Sequence, residues 1–120
     1  MTVIVKDNGF GIKNIIINEP KTYNSLSFKT LNILINIFRR LENDNKTRVI
    51  ILSGNGKGFS AGHNLKEVKN LKVRSKYLKL FNLCSKLMLN IVEGRKPVIA
   101  KVHGSAFAAG CQLAASCDLA

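Results

Sequence analysis

Two glycine-bearing segments, residues 53–65 and 103–112, carry most of the residues in this chain that could do chemistry. Small residues in such segments let backbone N–H groups approach a ligand closely, and the start of a following helix adds partial positive charge. Two N–H groups that converge on one oxygen form an oxyanion hole. The segments therefore predict a site for an oxygen that carries or develops negative charge.

The glycine spacing excludes the two common nucleotide-binding loops. A Walker loop needs Ser or Thr after Gly-Lys, whereas here Gly58 follows Lys57. The glycines also miss the G-x-G-x-x-G pattern, because the third comes one residue early. Cys84, Cys111 and Cys117 show neither C-x-x-C nor a Cys/His ligand spacing. We therefore expect no metal site and no disulfide, but reduced thiols in the core of an intracellular protein.

Length and composition suit one domain or a piece of one. The chain has 120 residues, of which 46% are hydrophobic, so it can build one modest core. No apolar run approaches the roughly 18 residues that a membrane span needs. The first residues resemble neither a signal peptide nor a transit peptide. The sequence is therefore expected to be soluble and untargeted.

The formal net charge of +12 suits an anionic partner, either nucleic acid or the phosphates of a nucleotide-bearing cofactor. Lys, Asn and Ile are abundant together throughout, so biased coding composition is an alternative explanation. The first predicted helix and the turn after it carry the cations Lys29, Arg39, Arg40 and Lys46. No aromatic residues are interleaved with them on the exposed face, so stacking on nucleic-acid bases is unsupported.

Hydrophobic periodicity predicts strands near residues 3–5, 12–17, 48–52 and 98–102, and helices between them. The first helix follows a capping serine in 25–27, and the second runs from about Arg74 to Val92 and stops at Gly94. A third should begin near Ala109. Their apolar stripes are Phe28, Leu31, Ile35, Phe38 and Leu41 in the first, and Tyr77, Leu80, Phe81, Cys84, Leu87, Met88 and Ile91 in the second.

This order of elements predicts an α/β fold with crossover connections. The last residues, 117–120, are apolar and look like the beginning of another strand. We therefore expect residues 1–120 to form the N-terminal part of a domain that is truncated at its C-terminus.

Four blocks, in this order and at this spacing, resemble the signature blocks of the crotonase (enoyl-CoA hydratase/isomerase) superfamily. They are Asn18–Ser27, Ile50–Gly54, Phe59–Glu67 and Lys96–Gly104 followed by Ala108–Asp118. The resemblance implies the ββα spiral of the ClpP/crotonase fold, of which this chain would be the N-terminal half. It also implies an acyl-CoA thioester as ligand and fatty-acid metabolism as context.

The resemblance assigns the two backbone donors of the oxyanion hole to His63 and Ala109. A backbone donor tolerates many side chains, so a histidine is acceptable at position 63. A catalytic or metal-binding imidazole at His63 is the alternative. His103, which follows a predicted strand, is expected to be a structural turn residue.

By the same comparison, five residues would bind the CoA part of the ligand. Lys21 and Lys66 would contact its nucleotide or phosphates as point charges, or they are ordinary solvated lysines. Tyr23, Ser60 and Ala61 would line the pantetheine and adenine end. Asn64 stands where many relatives have Asp.

The sequence departs from the hydratase pattern at Gln112, where hydratases have one of two catalytic glutamates. An amide cannot exchange a proton as a carboxylic acid does. The second glutamate normally lies beyond Ala120, and none of the seven acidic residues occupies either slot. Glu67 opens a polar helical stretch near the first segment and is expected to be solvated. Hydratase activity should therefore be weak or lost.

The resemblance implies further properties of a complete protein. Coenzyme A would enter as part of the substrate, with no separate cofactor and no metal. A homotrimer or homohexamer is expected, without membrane attachment. The most similar members are mitochondrial, although no presequence is visible, so the cytoplasm is the alternative location. Two other functions stay open: an RNA-binding crotonase relative, or a non-functional fragment.

Overall fold

The structure, a computed structural model, describes all residues from Met1 to Ala120. Its centre is a four-stranded sheet in the order β1, β2, β3, β4. The strands are β1 Val3–Asp7, β2 Ile12–Ile17, β3 Val49–Gly54 and β4 Val98–Lys101. β1 and β2 form an antiparallel hairpin, whereas β2, β3 and β4 are parallel neighbours. The predicted α/β fold with crossover connections is confirmed.

Helices make the crossovers between the parallel strands: α1 Phe28–Glu42 joins β2 to β3, and α2 Leu65–Asn70 with α3 Arg74–Glu93 joins β3 to β4. A single 3₁₀ turn at Pro20–Thr22 precedes α1, and α4 Ala109–Ser116 follows β4. A capping serine was predicted within 25–27, and it is Ser27, whose side chain accepts a hydrogen bond from the Thr30 N–H. The short helix α2 is the polar stretch that contains Glu67.

The core lies between one face of the sheet and the pair α1 and α3, which pack against each other. Residues on the strands alternate between the two faces of a sheet, so every second residue points toward the helices. On β2, β3 and β4 the buried apolar residues are Ile15, Ile17, Ile50, Leu52, Val98 and Ala100.

Two details of the sequence prediction are wrong. Phe81 belongs to the predicted stripe of α3 but is 45% exposed, because α1 covers a narrower strip of that helix. Cys111 is exposed rather than in the core. The prediction that α3 stops at Gly94 is confirmed, and Gly94 has an ordinary φ of −66° there.

The other two cysteines are partly or fully shielded from solvent. Burial raises the pKa of the Cys84 thiol. Burial, with a smaller effect from the charge of Asp118, raises the pKa of Cys117 to about 11. Neither thiol is therefore activated as a nucleophile. No helix combines the length and hydropathy required to cross a bilayer.

The parallel arrangement brings the carboxyl ends of β2, β3 and β4 to one edge of the sheet. The segments that leave these ends are residues 18–27, 55–64 and 102–108. Ligands of open α/β sheets bind at this kind of edge. The two glycine-bearing segments recognised in the sequence are therefore neighbours in space.

The buried side chain of Asn24 ties the first of these segments to the second. Its Nδ2 donates to the carbonyl oxygens of Asn55, at 2.8 Å, and Gly58, at 3.0 Å. Its Oδ1 accepts a hydrogen bond from the Glu19 N–H at 2.8 Å. Asn24 is fully buried and has a φ of 55°, a left-handed conformation that asparagine tolerates better than most residues.

We expect Asn24→Ala to lower the free energy of unfolding by about 3 kcal/mol, because it leaves three buried or half-buried backbone groups without partners. Urea denaturation measures this loss. Asn18→Ala is the matched control, since the Asn18 amide also makes two hydrogen bonds but at exposed positions. The control should cost less than about 1 kcal/mol. Equal losses for the two variants would contradict the central role of Asn24.

Candidate functional site

Two backbone N–H groups at the edge of the sheet make no hydrogen bond within the protein. They belong to His63 and Ala109. Ala109 is the first residue of α4, so its N–H has no acceptor inside the helix. The neighbouring amides are used internally: Gly62 donates to Ser60 Oγ at 3.2 Å, and Gly110 donates to the Phe107 carbonyl at 2.7 Å. Both predicted donors are therefore available to a ligand.

The segments that carry the two donors run side by side. The Phe59 N–H donates to the Ser105 carbonyl at 2.9 Å, and the Phe107 N–H donates to the Ser60 carbonyl at 3.0 Å. The first turn of α4 lies against the carbonyl of Ser60, so closely that a Cβ atom at Gly110 would collide with the carbonyl oxygen. This close approach requires glycine at position 110.

Gly62 brings the His63 amide beside the start of α4. It has a φ of +90°, and a Cβ atom there would lie 3.1 Å from the Ala109 nitrogen and 3.0 Å from the Phe107 oxygen. The residue that precedes one free N–H is thus in contact with the other. A side chain at position 62 would also crowd the ligand side of the Ala109 amide.

Ala108 precedes the second donor in a strained conformation. Its φ of 48° and ψ of −118° belong to a region that residues with a Cβ atom rarely adopt. Such strain persists only where the surroundings enforce it, and it occurs mainly at functional sites. Here it turns the chain sharply between Phe107, which is bonded to Ser60, and Ala109, whose N–H is free.

Ser60 lies deeper than predicted. It is 1% exposed, and its hydroxyl donates to the Asn24 carbonyl at 2.8 Å. The prediction that Ser60 lines the ligand site is therefore wrong, because its polar atoms are used to hold the segment. Ala61 is held by the same segment, 18–27, because its N–H donates to the Tyr23 carbonyl at 2.9 Å.

Beside the donors lies an open cleft of about 300 Å³. It is lined by Lys21, Thr22, Ser25, Ala61, His63, Asn64, Leu65 and Lys66. The two lysines are exposed, so the cleft presents two ammonium groups to a ligand. Two other predicted site residues, His63 and Ala61, also line this cleft. A third, Tyr23, lines the cavity next to it.

Tyr23 borders a second and more apolar cavity of about 190 Å³. Ala61 belongs to both spaces, so they adjoin each other. Tyr23 itself is 57% exposed and has a φ of 53° at the end of the 3₁₀ turn. The rest of the lining of this cavity is Gly58, Ser105 and Phe107.

One wall of the cleft is the short helix α2, which is tied to α1. The Asn64 side chain caps α2 by accepting a hydrogen bond from the Glu67 N–H at 3.2 Å. The Glu67 carboxylate in turn accepts a hydrogen bond from the Phe28 N–H, the first amide of α1, at 2.9 Å. The prediction that Glu67 is solvated is wrong, because half-burial and the positive end of α1 hold its carboxylate in place.

The two histidines have different surroundings. His103 Nε2 donates to the Gly56 carbonyl at 2.6 Å, which fits the predicted structural turn. The His63 ring packs edge to face on Phe81 of α3, with 5.3 Å between ring centroids. Its Nδ1 is buried and has no hydrogen-bond partner. No cluster of three or more His, Cys, Asp or Glu residues suited to a metal ion is present.

Gln112 lies in the first turn of α4 and is exposed. No carboxylate replaces it there, because most of the acidic side chains bond elsewhere. Those with hydrogen bonds to other parts of the chain are Asp7, Glu42, Asp44, Glu67 and Asp118. The residues that line the two cavities include hydrogen-bond donors and cations, and no Asp or Glu is among them.

The basic surface of α1 lacks the aromatic residues that stack on nucleic-acid bases. Arg39 and Arg40 are exposed near its end. The aromatic residues of the helix are Phe38, which is buried, and Phe28, which is half-buried. This surface does not favour the nucleic-acid alternative.

Residues 7–120 match the sequence profile described as enoyl-CoA hydratase/isomerase. The human protein named enoyl-CoA hydratase domain-containing protein 3, mitochondrial, is 44% identical over 110 residues, which are 92% of this chain and 36% of that protein. The short-chain-enoyl-CoA hydratase of Clostridium acetobutylicum is 36% identical over 106 residues, or 88% of this chain and 40% of the relative. The chain thus spans less than half of these relatives.

Solved structures of proteins with similar names also superpose closely on this chain. An enoyl-CoA hydratase of Mycobacterium smegmatis superposes with a TM-score of 0.97 at 41% identity, covering 99% of this chain and 46% of that one. The structure of human enoyl coenzyme A hydratase domain-containing protein 3 gives a TM-score of 0.92 at 41% identity, covering 98% and 46%. The predicted crotonase-like fold is confirmed over the length of this chain.

We expect Ala108→Gly to raise the free energy of unfolding by about 1 kcal/mol, because glycine adopts the conformation at this position without strain. Thermal and urea denaturation measure the gain. Ala115→Gly, at an exposed position inside α4, is the control and should lower the free energy by about 1 kcal/mol. A loss of stability in both variants would show that Ala108 is not strained.

Proposed function

We propose that this chain, which belongs to the enoyl-CoA hydratase/isomerase family, binds an acyl-CoA thioester and holds its carbonyl oxygen on the N–H groups of His63 and Ala109. The observation that carries the proposal is that both amides are free of internal partners, while Gly62, which precedes the first, lies close to the nitrogen of the second. The named activities of the relatives support a role in the metabolism of CoA thioesters.

Two N–H donors suit this ligand because the thioester oxygen becomes negatively charged when an enolate or a tetrahedral intermediate forms. Donors that are already in place stabilise that charge without reorganisation, and the loss of one typically costs about 3–4 kcal/mol. The hydrogen bonds between the two segments, together with the strained turn at Ala108, keep the donors in place. The start of α4 adds its partial positive charge at Ala109.

The cleft beside the donors is proposed to hold the CoA part of the ligand. Lys21 and Lys66 line it from opposite segments, the 3₁₀ turn and α2. Their ammonium groups attract phosphates as point charges. Ala61 and the exposed ring of Tyr23 offer apolar contact next to them. Coenzyme A then belongs to the substrate, and we propose no separate cofactor.

Hydration of an enoyl thioester would be slow on this site. A hydratase needs groups that take up and release protons, and each such group contributes typically 10²–10⁴-fold to the rate. Gln112 cannot serve, because its amide does not exchange a proton in this way. The proposed chemistry is therefore binding and enolate stabilisation, with weak or altered hydratase or isomerase activity.

The wider context follows from the same family membership and is part of the proposal. We place the chain in fatty-acyl metabolism, as part of a crotonase-like domain. Relatives named as mitochondrial suggest the mitochondrion as its location. Assembly into a homotrimer or homohexamer is proposed for a protein that contains the whole domain.

We expect butyryl-CoA to bind about tenfold or more tightly than S-butyl-CoA, its thioether analogue, because only the thioester has a carbonyl oxygen for the two N–H groups. Isothermal titration of the intact protein measures both affinities. The analogue keeps the nucleotide, the pantetheine and the alkyl chain, so it is a matched control. Equal affinities would contradict the oxyanion hole, and no binding of either ligand would contradict the proposed function.

We expect Gln112→Glu to raise the rate of crotonyl-CoA hydration by about 10²-fold in a protein that also carries the second glutamate of hydratases. The gain should depend on that partner, since two acid–base groups act together on the water. Loss of enoyl absorbance follows the reaction. Gln112→Met, which keeps the side-chain length without a titratable group, should give no gain. A similar rate for both variants in the complete protein would refute this role for position 112.

A further inference from the structure

The imidazole of His63 has no function in the fold that accounts for its polarity. It makes no hydrogen bond, and its only specific contact is with the Phe81 ring. Phenylalanine or leucine would fill the same space without burying an unpaired nitrogen. A buried polar atom that lacks a partner needs an explanation, and a function for the other nitrogen of the same ring is one.

The two ring nitrogens of His63 differ in exposure. Nδ1 is shielded from solvent, whereas Nε2, which also lacks a protein partner, is not among the buried atoms. A neutral imidazole carries its proton on one nitrogen only. A buried N–H without an acceptor is rarer than a buried acceptor without a donor. We therefore assign the proton to Nε2, so that the accessible nitrogen is an N–H donor.

This donor lies close to the proposed oxyanion hole, because it belongs to the same residue as one of the two amides. The ring also lines the cleft. By covalent geometry, Nε2 is within roughly 6 Å of the backbone nitrogen of its own residue. A 3-oxoacyl thioester carries its second carbonyl oxygen within about 3 Å of the first. The amide and the imidazole can therefore bind the two oxygens of one such ligand.

On the basis of the proposed function, we propose that His63 is a specificity-determining residue whose Nε2–H binds an acceptor oxygen on the acyl group, so that the site prefers 3-oxoacyl-CoA ligands over unsubstituted acyl-CoA. The side chain then supplies a third donor beside the amides of His63 and Ala109. The contact with Phe81 fixes the ring orientation and keeps Nδ1 away from water.

Isothermal titration of the intact protein with acetoacetyl-CoA and butyryl-CoA tests the preference. The two ligands differ by one carbonyl oxygen on the third carbon of the acyl chain. We expect the wild type to bind acetoacetyl-CoA about threefold to tenfold more tightly, the usual effect of one hydrogen bond. In His63→Phe, which keeps an aromatic ring and the backbone N–H, the ratio of affinities should fall to about one. His103→Gln keeps the His63 imidazole together with its contact to Phe81, and it should keep the preference.

The outcomes separate this inference from the function on which it depends. If butyryl-CoA binds but the wild type shows no preference, or if His63→Phe retains the preference, the inference is wrong and the proposed function stands. If neither ligand binds, both fail.

Nitrogen NMR of the histidines gives a second test that needs no altered residue at position 63. The chain has two histidines, so a His103→Gln variant assigns both signals. Acetoacetyl-CoA should shift the Nε2–H signal of His63 more than butyryl-CoA does. Equal shifts for the two ligands would overturn the inference.

Discussion

The site depends on one short contact, the approach of the first turn of α4 to the carbonyl of Ser60. That oxygen accepts the Phe107 N–H, and it lies where any side chain at Gly110 would collide with it. A hydrogen bond on one side and a steric limit on the other fix the distance between two segments that are far apart in sequence. This distance places the start of α4, with the free amide of Ala109, beside the segment that carries His63.

Behind that contact, polar side chains act as tertiary connectors. Asn24 is fully buried and joins residues 19–24 to residues 55–58. Asn64 and Glu67 continue the connection, through α2, to the N-terminus of α1. Amide and carboxylate groups thus satisfy backbone groups of neighbouring segments, and these hydrogen bonds hold the loops of the site to one another.

Much of the fold could be predicted from local sequence pattern. β2 was predicted at its observed bounds, and a serine within 25–27 as the cap of α1, because alternation and capping are determined within a few residues. The roles of Asn24, Ser60 and Glu67 could not be predicted, because their partners lie up to 39 residues away. Asn24 in particular reads as a simple turn residue.

The exposure of Phe81 depended on the width of the α1 contact, which periodicity does not reveal. The donor assignment came from family resemblance, since no spacing rule places His63 beside Ala109.

The pairing of distant segments at Ser60 and Gly110 also bears on how the chain acquires its binding capacity. One amide is encoded 46 residues before the other, with the whole of α3 and β4 between them. During translation, a partial chain that ends before α4 contains the amide of His63 but not that of Ala109. Local helices form within microseconds, whereas parallel strand pairing waits for loop closure. The two free amides therefore become neighbours only when β3 and β4 are joined. A bound thioester would stabilise the native state alone, and collapsed intermediates would gain nothing from it.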